Sequence, residues 1–238
     1  MSDNTKSIIY SIFDKYKLSD DDKNYLFQSM EKIVSHPKFL ERLTSDFKHH
    51  SDITLGEHII EDACVTYLLC KKKKVKINIS ISIKIAMLHD LYTLPWQNNK
   101  DARVKKFSNK HGFRHPIEAV INAYRWYPEL FPDTEETNIL IDGIIHHMFP
   151  LPVTRVKDFN TNRNELKNYE EVKHIPKYII DSIIKSTNRR TIIKFSLSRS
   201  KYLEGRILSK ADKKVSRRQI KNISSATALV TGKNKKIK

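Results

Sequence analysis

Apolar positions recur along most of this chain at spacings of three and four, the period of helices that bury one face. Residues 5 to 17 place Ile8, Ile9, Ile12, Phe13 and Tyr16 on one side and predict a first helix. Ser19 followed by Asp22 resembles a capping box, and Tyr25, Leu26, Met30, Ile33 and Val34 carry the stripe of a second. Pro37 suits the first turn of a short third helix with Phe39, Leu40, Leu43 and Phe47, after which His49 and His50 lead into a loop. From Thr54 or Leu55 to Cys70 the chain reads as helix, with Leu55, Ile59, Ala63, Tyr67 and Leu68 at core spacing, and Lys71 to Lys74 form an exposed turn.

The next stretch is ambiguous. Ile77, Ile79, Ile81, Ile83 and Ile85 alternate with polar residues, a strand period, while Ile81, Ile85 and Leu88 also fit one helical face. The helical neighbourhood decides for helix. Pro95 and Trp96 open a polar loop through Asn109, and Pro116 then marks a first helical turn, so that His115 sits at the mouth of a helix continued by Ile117, Val120, Ile121 and Tyr124. Asp133 and Glu136 form another capping-box pattern before Ile139, Leu140, Ile144, Ile145 and Met148, with His146 and His147 near the end of that helix. A polar, basic excursion follows to about Lys173. Two more helices carry Tyr178, Ile179, Ile180, Ile183 and Ile184, then Leu203, Ile207, Leu208, Ala211 and Val215, and the tail from Thr231 frays. The pattern predicts an all-α fold.

Composition narrows the class. The 238 residues suffice for a substantial core, and only five glycines and eight prolines break the helical pattern. Cys64 and Cys70, six positions or about 9 Å apart along one helix, are too distant for a disulfide and fit a reduced, cytoplasmic protein. No apolar run approaches the roughly 20 residues of a membrane span, and Met1-Ser2-Asp3-Asn4-Thr5 lacks the layout of a signal peptide, so no membrane partner is expected. Charge is placed unevenly. Residues 1–150 hold 21 Lys and Arg against 20 Asp and Glu, whereas residues 151–238 hold 23 against 7, so the last part carries +16 of the +17. Such a block attracts phosphate on a substrate or along a nucleic acid, or is simply a solvated basic surface.

Candidate chemistry centres on His89-Asp90, which end the run Ile85-Ala86-Met87-Leu88. Adjacent helical residues point about 100° apart, so a shared ion needs further segments. His58, His115, His146, His147 and Asp212 offer them. Asp62 shares a helical face with His58 and is placed to orient its imidazole, and Asp142, one turn from His146, is placed to support either late histidine.

Several strings in this order resemble the HD-domain phosphohydrolases of bacteria: Gly56-Glu57-His58, Leu88-His89-Asp90, His111-Gly112-Phe113-Arg114-His115-Pro116, Asp142 to Leu151, and Ala211-Asp212-Lys213-Lys214-Val215-Ser216. The resemblance implies an HD-domain helical bundle over 36–220 with a basic insertion at about 151–205, preceded by N-terminal helices (1–35) and followed by a basic tail (221–238). It implies one divalent ion on His58, His89, Asp90 and Asp212, and a second on His115 and one of His146 and His147. His147 is preferred because the matching string Met148-Phe149-Pro150-Leu151 follows it directly. Zinc, iron and manganese all suit such a site. His89 and Asp90 would be the catalytic pair, Asp90 bridging the ions, and His111, Arg114 and Lys213, adjacent in sequence to proposed ligands, would contact phosphate. The implied activity is hydrolysis of a phosphoester or phosphoanhydride of a nucleotide or other small phosphorylated molecule. A second reading stands beside it, a nucleic-acid-associated protein working through its basic C-terminal part, with a degenerate or structural metal site.

Overall fold

The structure, a computed structural model, describes residues 1–50, 52–93, 110–156 and 174–231, without the side chains of residue 50 and residues 222–231. The expected loop from Pro95 to Asn109, most of the basic excursion and the tail after Thr231 lie outside these residues.

The described chain is mostly helical. Its helices are α1 (Asp3–Lys15), α2 (Asp20–Val34), α3 (Pro37–Arg42), α4 (Leu55–Lys71), α5 (Ile79–Leu88), α6 (His111–Trp126), α7 (Glu135–Ile145), α8 (Lys177–Thr187) and α9 (Leu203–Thr231). α9 passes without a break through position 221, where the basic tail was expected to start. Among the described residues, no helix is long and apolar enough to cross a membrane.

α5 lies at the centre, touching α2, α4, α6, α7 and α9. That position explains the isoleucine alternation. Ile81, Ser82, Ile83, Ile85, Ala86, Met87 and Leu88 are all buried, while Ser80 and Lys84, one turn apart, keep a narrow strip toward solvent, and a helix covered nearly all round needs apolar residues nearly all round. The one buried hydroxyl, Ser82, returns a hydrogen bond to Asn78 O at 2.9 Å. Around α5, α4, α7 and α9 pack on it and α4 and α7 each meet α9, with α1 on α4 and α8 on α7.

Thr54 begins α4 with a complete capping box, its hydroxyl accepting from Glu57 N while Glu57 accepts from Thr54 N at 2.8 Å. Ser19 likewise caps α2, accepting from Asp22 N.

Three local expectations are corrected. His49 and His50, expected only to lead into a loop, end a strand that was not foreseen, β1 (Lys48–His50), paired antiparallel with β2 (Ile53–Thr54). α6 starts at His111 rather than at Pro116. At the sixth position the proline withholds only the bond to the Gly112 carbonyl, close to the helix end where bonds are scarce anyway. Asp133 does not cap α7; Thr134 holds that position without a side-chain bond, and the Pro132 carbonyl instead receives Thr134 N and Thr137 Oγ1.

A small antiparallel sheet completes the fold, with β3 (Val153–Thr154), β4 (Thr191–Ile192) and β5 (Phe195–Ser196) in the order β3-β5-β4. Val153 lies opposite Ser196, and Ser196 opposite Thr191.

Candidate metal centre

Five elements deliver side chains to one buried point. α4 contributes His58 and Asp62, a turn apart on the same face. α5 ends at Leu88, so His89 occupies its C-cap and Asp90 follows just beyond. α6 contributes His115 from its second turn, the segment after α7 contributes His147, and α9 contributes Asp212. His58, Asp62, His89 and Asp212 offer ligand atoms within 4.8 Å of one another, as do His89, Asp90 and His147.

Asp90 is the hinge of the cluster. Its Oδ2 lies 3.8 Å from His58 Nε2 and 3.6 Å from His89 Nε2, while its Oδ1 lies 3.4 Å from both His115 Nε2 and His147 Nε2. Each carboxylate oxygen thus faces its own pair of imidazoles. On the Oδ2 side, Asp62 Oδ2 sits 3.2 Å from His58 Nε2 and 3.4 Å from His89 Nε2, and Asp212 Oδ1 sits 3.9 Å from His58 Nε2.

The backs of the four rings decide what their fronts can do. His89 Nδ1 is 2.7 Å from Ala86 O, His147 Nδ1 is 2.7 Å from Ile144 O, His115 Nδ1 is 3.1 Å from His111 O, and His58 Nδ1 is 3.1 Å from Gln219 Oε1. Oxygens of carbonyls and carboxamides only accept, so each Nδ1 carries its hydrogen, and a ring in its neutral form turns a bare Nε2 lone pair inward. His115 Nε2 and His147 Nε2 then stand 3.1 Å apart, lone pair toward lone pair, in front of a carboxylate. Such a pair repels unless a cation or a proton lies between.

The electrostatics separate His89 from His147. Burial pulls the His89 imidazole down to about 4, against the pull of Asp90, so it is neutral near pH 7. Burial raises Asp90, yet the imidazoles of His89, His115 and His147 hold its carboxyl well below the usual carboxylate range. Burial, then the Asp212 and Asp90 carboxylates, push Asp62 well above that range. Burial lowers His147 too, but Asp90 overrides it and leaves the ring above its ordinary value. Excess negative charge here is looking for positive charge.

Among the described residues, buried atoms without hydrogen bonds occur singly on Arg42, Thr66, Arg189 and Arg218 but gather at this place. Asp62 Oδ1 and Oδ2, His89 Nε2 and Asp90 Oδ1 are all buried and form none. Leaving a buried polar group unsatisfied costs about 1–3 kcal/mol, and more for a charged one. A metal ion held by these groups, whose ligand atoms lie close enough together to share one, would offset these costs together.

No family model, curated protein or solved structure matches this chain. The site therefore stands on its own geometry.

The sequence-derived residues divide. His58, His89, Asp90, His115, His147 and Asp212 converge. Asp62 was expected behind His58 but lies in front of it, with the ligand atoms. The role of orienting the ring from behind falls to Gln219. His146 turns away, its Nε2 3.2 Å from Ser186 O. Asp142 does stand beside His146, its Oδ1 3.8 Å from His146 Nε2, but away from this centre and from His147. It accepts Ser186 Oγ and Ser200 Oγ at 2.8 Å each and Lys201 N at 2.7 Å, and it pairs with Arg189. Both belong to a buried polar knot that ties α7 to α8 and to the approach to α9. Lys213 gives its ammonium to the Phe149 carbonyl and the Ser209 hydroxyl, which engages two of its three hydrogens within the protein. His111 and Arg114 are half-buried in the first turn of α6. His111 stacks on His115 with centroids 5.0 Å apart and is lowered to about 4 by burial, so near pH 7 it offers neutral hydrogen bonds rather than charge.

Two further residues were missed. His49 stacks on His58 with ring centroids 4.0 Å apart, and its Nδ1 lies 3.0 Å from the Tyr92 hydroxyl. Tyr92 also presents its ring edge-on to His111 and is fixed by the buried Arg42, which donates to Tyr92 O at 2.6 Å. A three-residue strand carries no periodicity, so His49 gave no signal beyond its residue type.

Proposed function

We propose that this chain is a metal-dependent phosphohydrolase of the HD type, cleaving a phosphoester or phosphoanhydride of a nucleotide or other small phosphorylated molecule. The observation that carries the reading is Asp90, whose two oxygens face separate pairs of imidazoles with inward lone pairs, an arrangement suited to bridging two ions. On the Oδ2 side, His58, His89, Asp62 and Asp212 would hold one ion. On the Oδ1 side, His115 and His147 would hold the other. When bound, divalent ions supply Lewis-acid polarisation of a phosphoryl oxygen and a nucleophilic water at neutral pH.

The chain's own part is preorganisation. The Nδ1 bonds of His89, His115 and His147 run to backbone carbonyls of their own segments, so the rings are aimed before anything binds. Burial of the whole set excludes bulk water and strengthens each electrostatic contact. His111 and Arg114, next to His115 on α6, are the residues proposed to meet the substrate phosphate.

Elemental analysis with an activity screen tests this. Purified protein should carry divalent metal and, once reconstituted, hydrolyse members of a panel of nucleotides and aryl phosphates. His89→Ala and Asp90→Ala should each lose metal and hydrolysis while circular dichroism keeps its helical signal. Full metal occupancy in either variant would remove these residues from the site.

A further inference from the structure

The back of His58 is built differently from the other three rings, and the difference reaches as far as the N-terminal helix. Its Nδ1 meets a side chain, Gln219 Oε1, on the next turns of α9 beyond Asp212. The two ends of a carboxamide have nearly the same shape, so a neighbour must decide which one faces the ring. Glu61 does so. Gln219 Nε2 lies 3.1 Å from Glu61 Oε2, and a carboxylate offers only acceptors, which turns the carboxamide oxygen toward His58. Glu61 in turn lies between two cations, Lys15 at the end of α1 and Arg218, whose NH2 is 2.6 Å from Glu61 Oε2. Arg218 also donates to the Tyr16 hydroxyl and lies 4.9 Å over that ring. Gln219 is 1% exposed and Glu61 3%, so water does not compete for these bonds.

We propose that Gln219 is a positioning residue of the metal centre: oriented by Glu61, it holds His58 with hydrogen on Nδ1 and the Nε2 lone pair aimed at Asp62, Asp90 and Asp212. The inference rests on the metal-centre reading. It gives α1, which supplies no ligand, a part in the site, because Lys15 and Tyr16 hold the far end of the relay through Glu61 and Arg218.

The test is the Zn²⁺ affinity of the full chain, measured by competition with a chromophoric chelator. Gln219→Leu removes the acceptor at similar volume and should weaken binding about 10- to 100-fold, the usual loss when the outer partner of a ligating histidine is removed. A packing defect would lower the affinity as well but would not by itself move a proton between the ring nitrogens, so the tautomer of His58 is the second arm. Nitrogen-15 imidazole spectra of the metal-free protein should show His58 protonated on Nδ1 in the parent chain and a tautomer mixture in Gln219→Leu. Equal Zn²⁺ affinity in Gln219→Leu overturns the inference alone, and so does a weakened variant in which His58 keeps its hydrogen on Nδ1. A parent chain that takes up no Zn²⁺ overturns the metal-centre reading and this inference with it.

Discussion

His146 and His147 are neighbours with opposite surroundings, because α7 ends at Ile145 and the chain turns between them. His147 Nε2 faces Asp90 and His115, whereas His146 Nε2 faces the Ser186 carbonyl. His147→Ala should therefore reduce metal stoichiometry by elemental analysis. His146→Ala should keep the metal and lower stability by about 1–3 kcal/mol, the scale for a buried carbonyl losing its donor, read in a denaturant titration. Loss of metal from the His146 variant together with retention in the His147 variant would reverse the assignment. Asp62 makes a similar case. With both oxygens buried and unbonded beside two imidazoles, Asp62→Asn should weaken metal binding through lost charge at nearly unchanged shape.

At the scale of elements, the site depends on how closely α7 and α9 approach. The two helices cross at Gly143 and Gly205. A Cβ on Gly205 would come within 2.6 Å of Gly143 Cα and 2.4 Å of Ser200 Oγ, and one on Gly143 would come within 2.7 Å of Ile85 Cδ1. Backbone cannot yield as a flexible side chain can, so Gly205→Ala has to push α9 away from α7. Overpacking of this kind costs typically about 1–3 kcal/mol. Since α9 carries Asp212 and α7 leads to His147, the same variant should also loosen metal binding. Gly112 is the control, because a Cβ there would meet nothing within 4 Å. Gly112→Ala should leave both thermal stability and metal content close to those of the parent. Thr54 acts on the same scale, since its capping box fixes the start of the helix that presents His58 and Asp62. Thr54→Ala should cost about 1 kcal/mol in thermal or denaturant unfolding.

For the whole molecule, the question is what the +16 of the last 88 residues does. Part of it is structural. Arg189 pairs with Asp142, and Arg218 pairs with Glu61 and Tyr16. Arg190, Lys194, Arg199 and Lys201 are instead exposed around the small sheet and the entry to α9. Replacing these four with glutamine should raise KM for a phosphorylated substrate, or weaken nucleic-acid binding, at low ionic strength. The difference should shrink as the Debye length falls from about 30 Å at 0.01 M salt to about 8 Å at 0.15 M. Metal content should not change. A loss of kcat independent of salt would put these cations in the chemical step, and no effect at any salt would leave a solvated basic surface.

Periodicity was enough to read an all-helical chain and most of its helices, because a helix is decided by hydrogen bonds and apolar spacing among near neighbours. Ser19, Pro37 and the start of α4 at Thr54 or Leu55 were legible for that reason. The sequence also singled out histidines and aspartates that come together, since His58, His89, Asp90, His115 and Asp212 are ligand types recurring on separate segments in the order of the strings quoted above. It could not tell on which side of His58 the Asp62 carboxylate lies, or that Lys213 reaches the Phe149 carbonyl. Local pattern even favoured a strand over α5, because a helix buried on all but a narrow strip loses its amphipathic period. Gln219 shows the limit most clearly. It touches His58 across 161 positions of sequence, and only the packing of α9 against α4 brings that carboxamide to that ring. Direction across helix interfaces is a property of the assembled core, so it was the tertiary structure that decided which of the right residues face the same point.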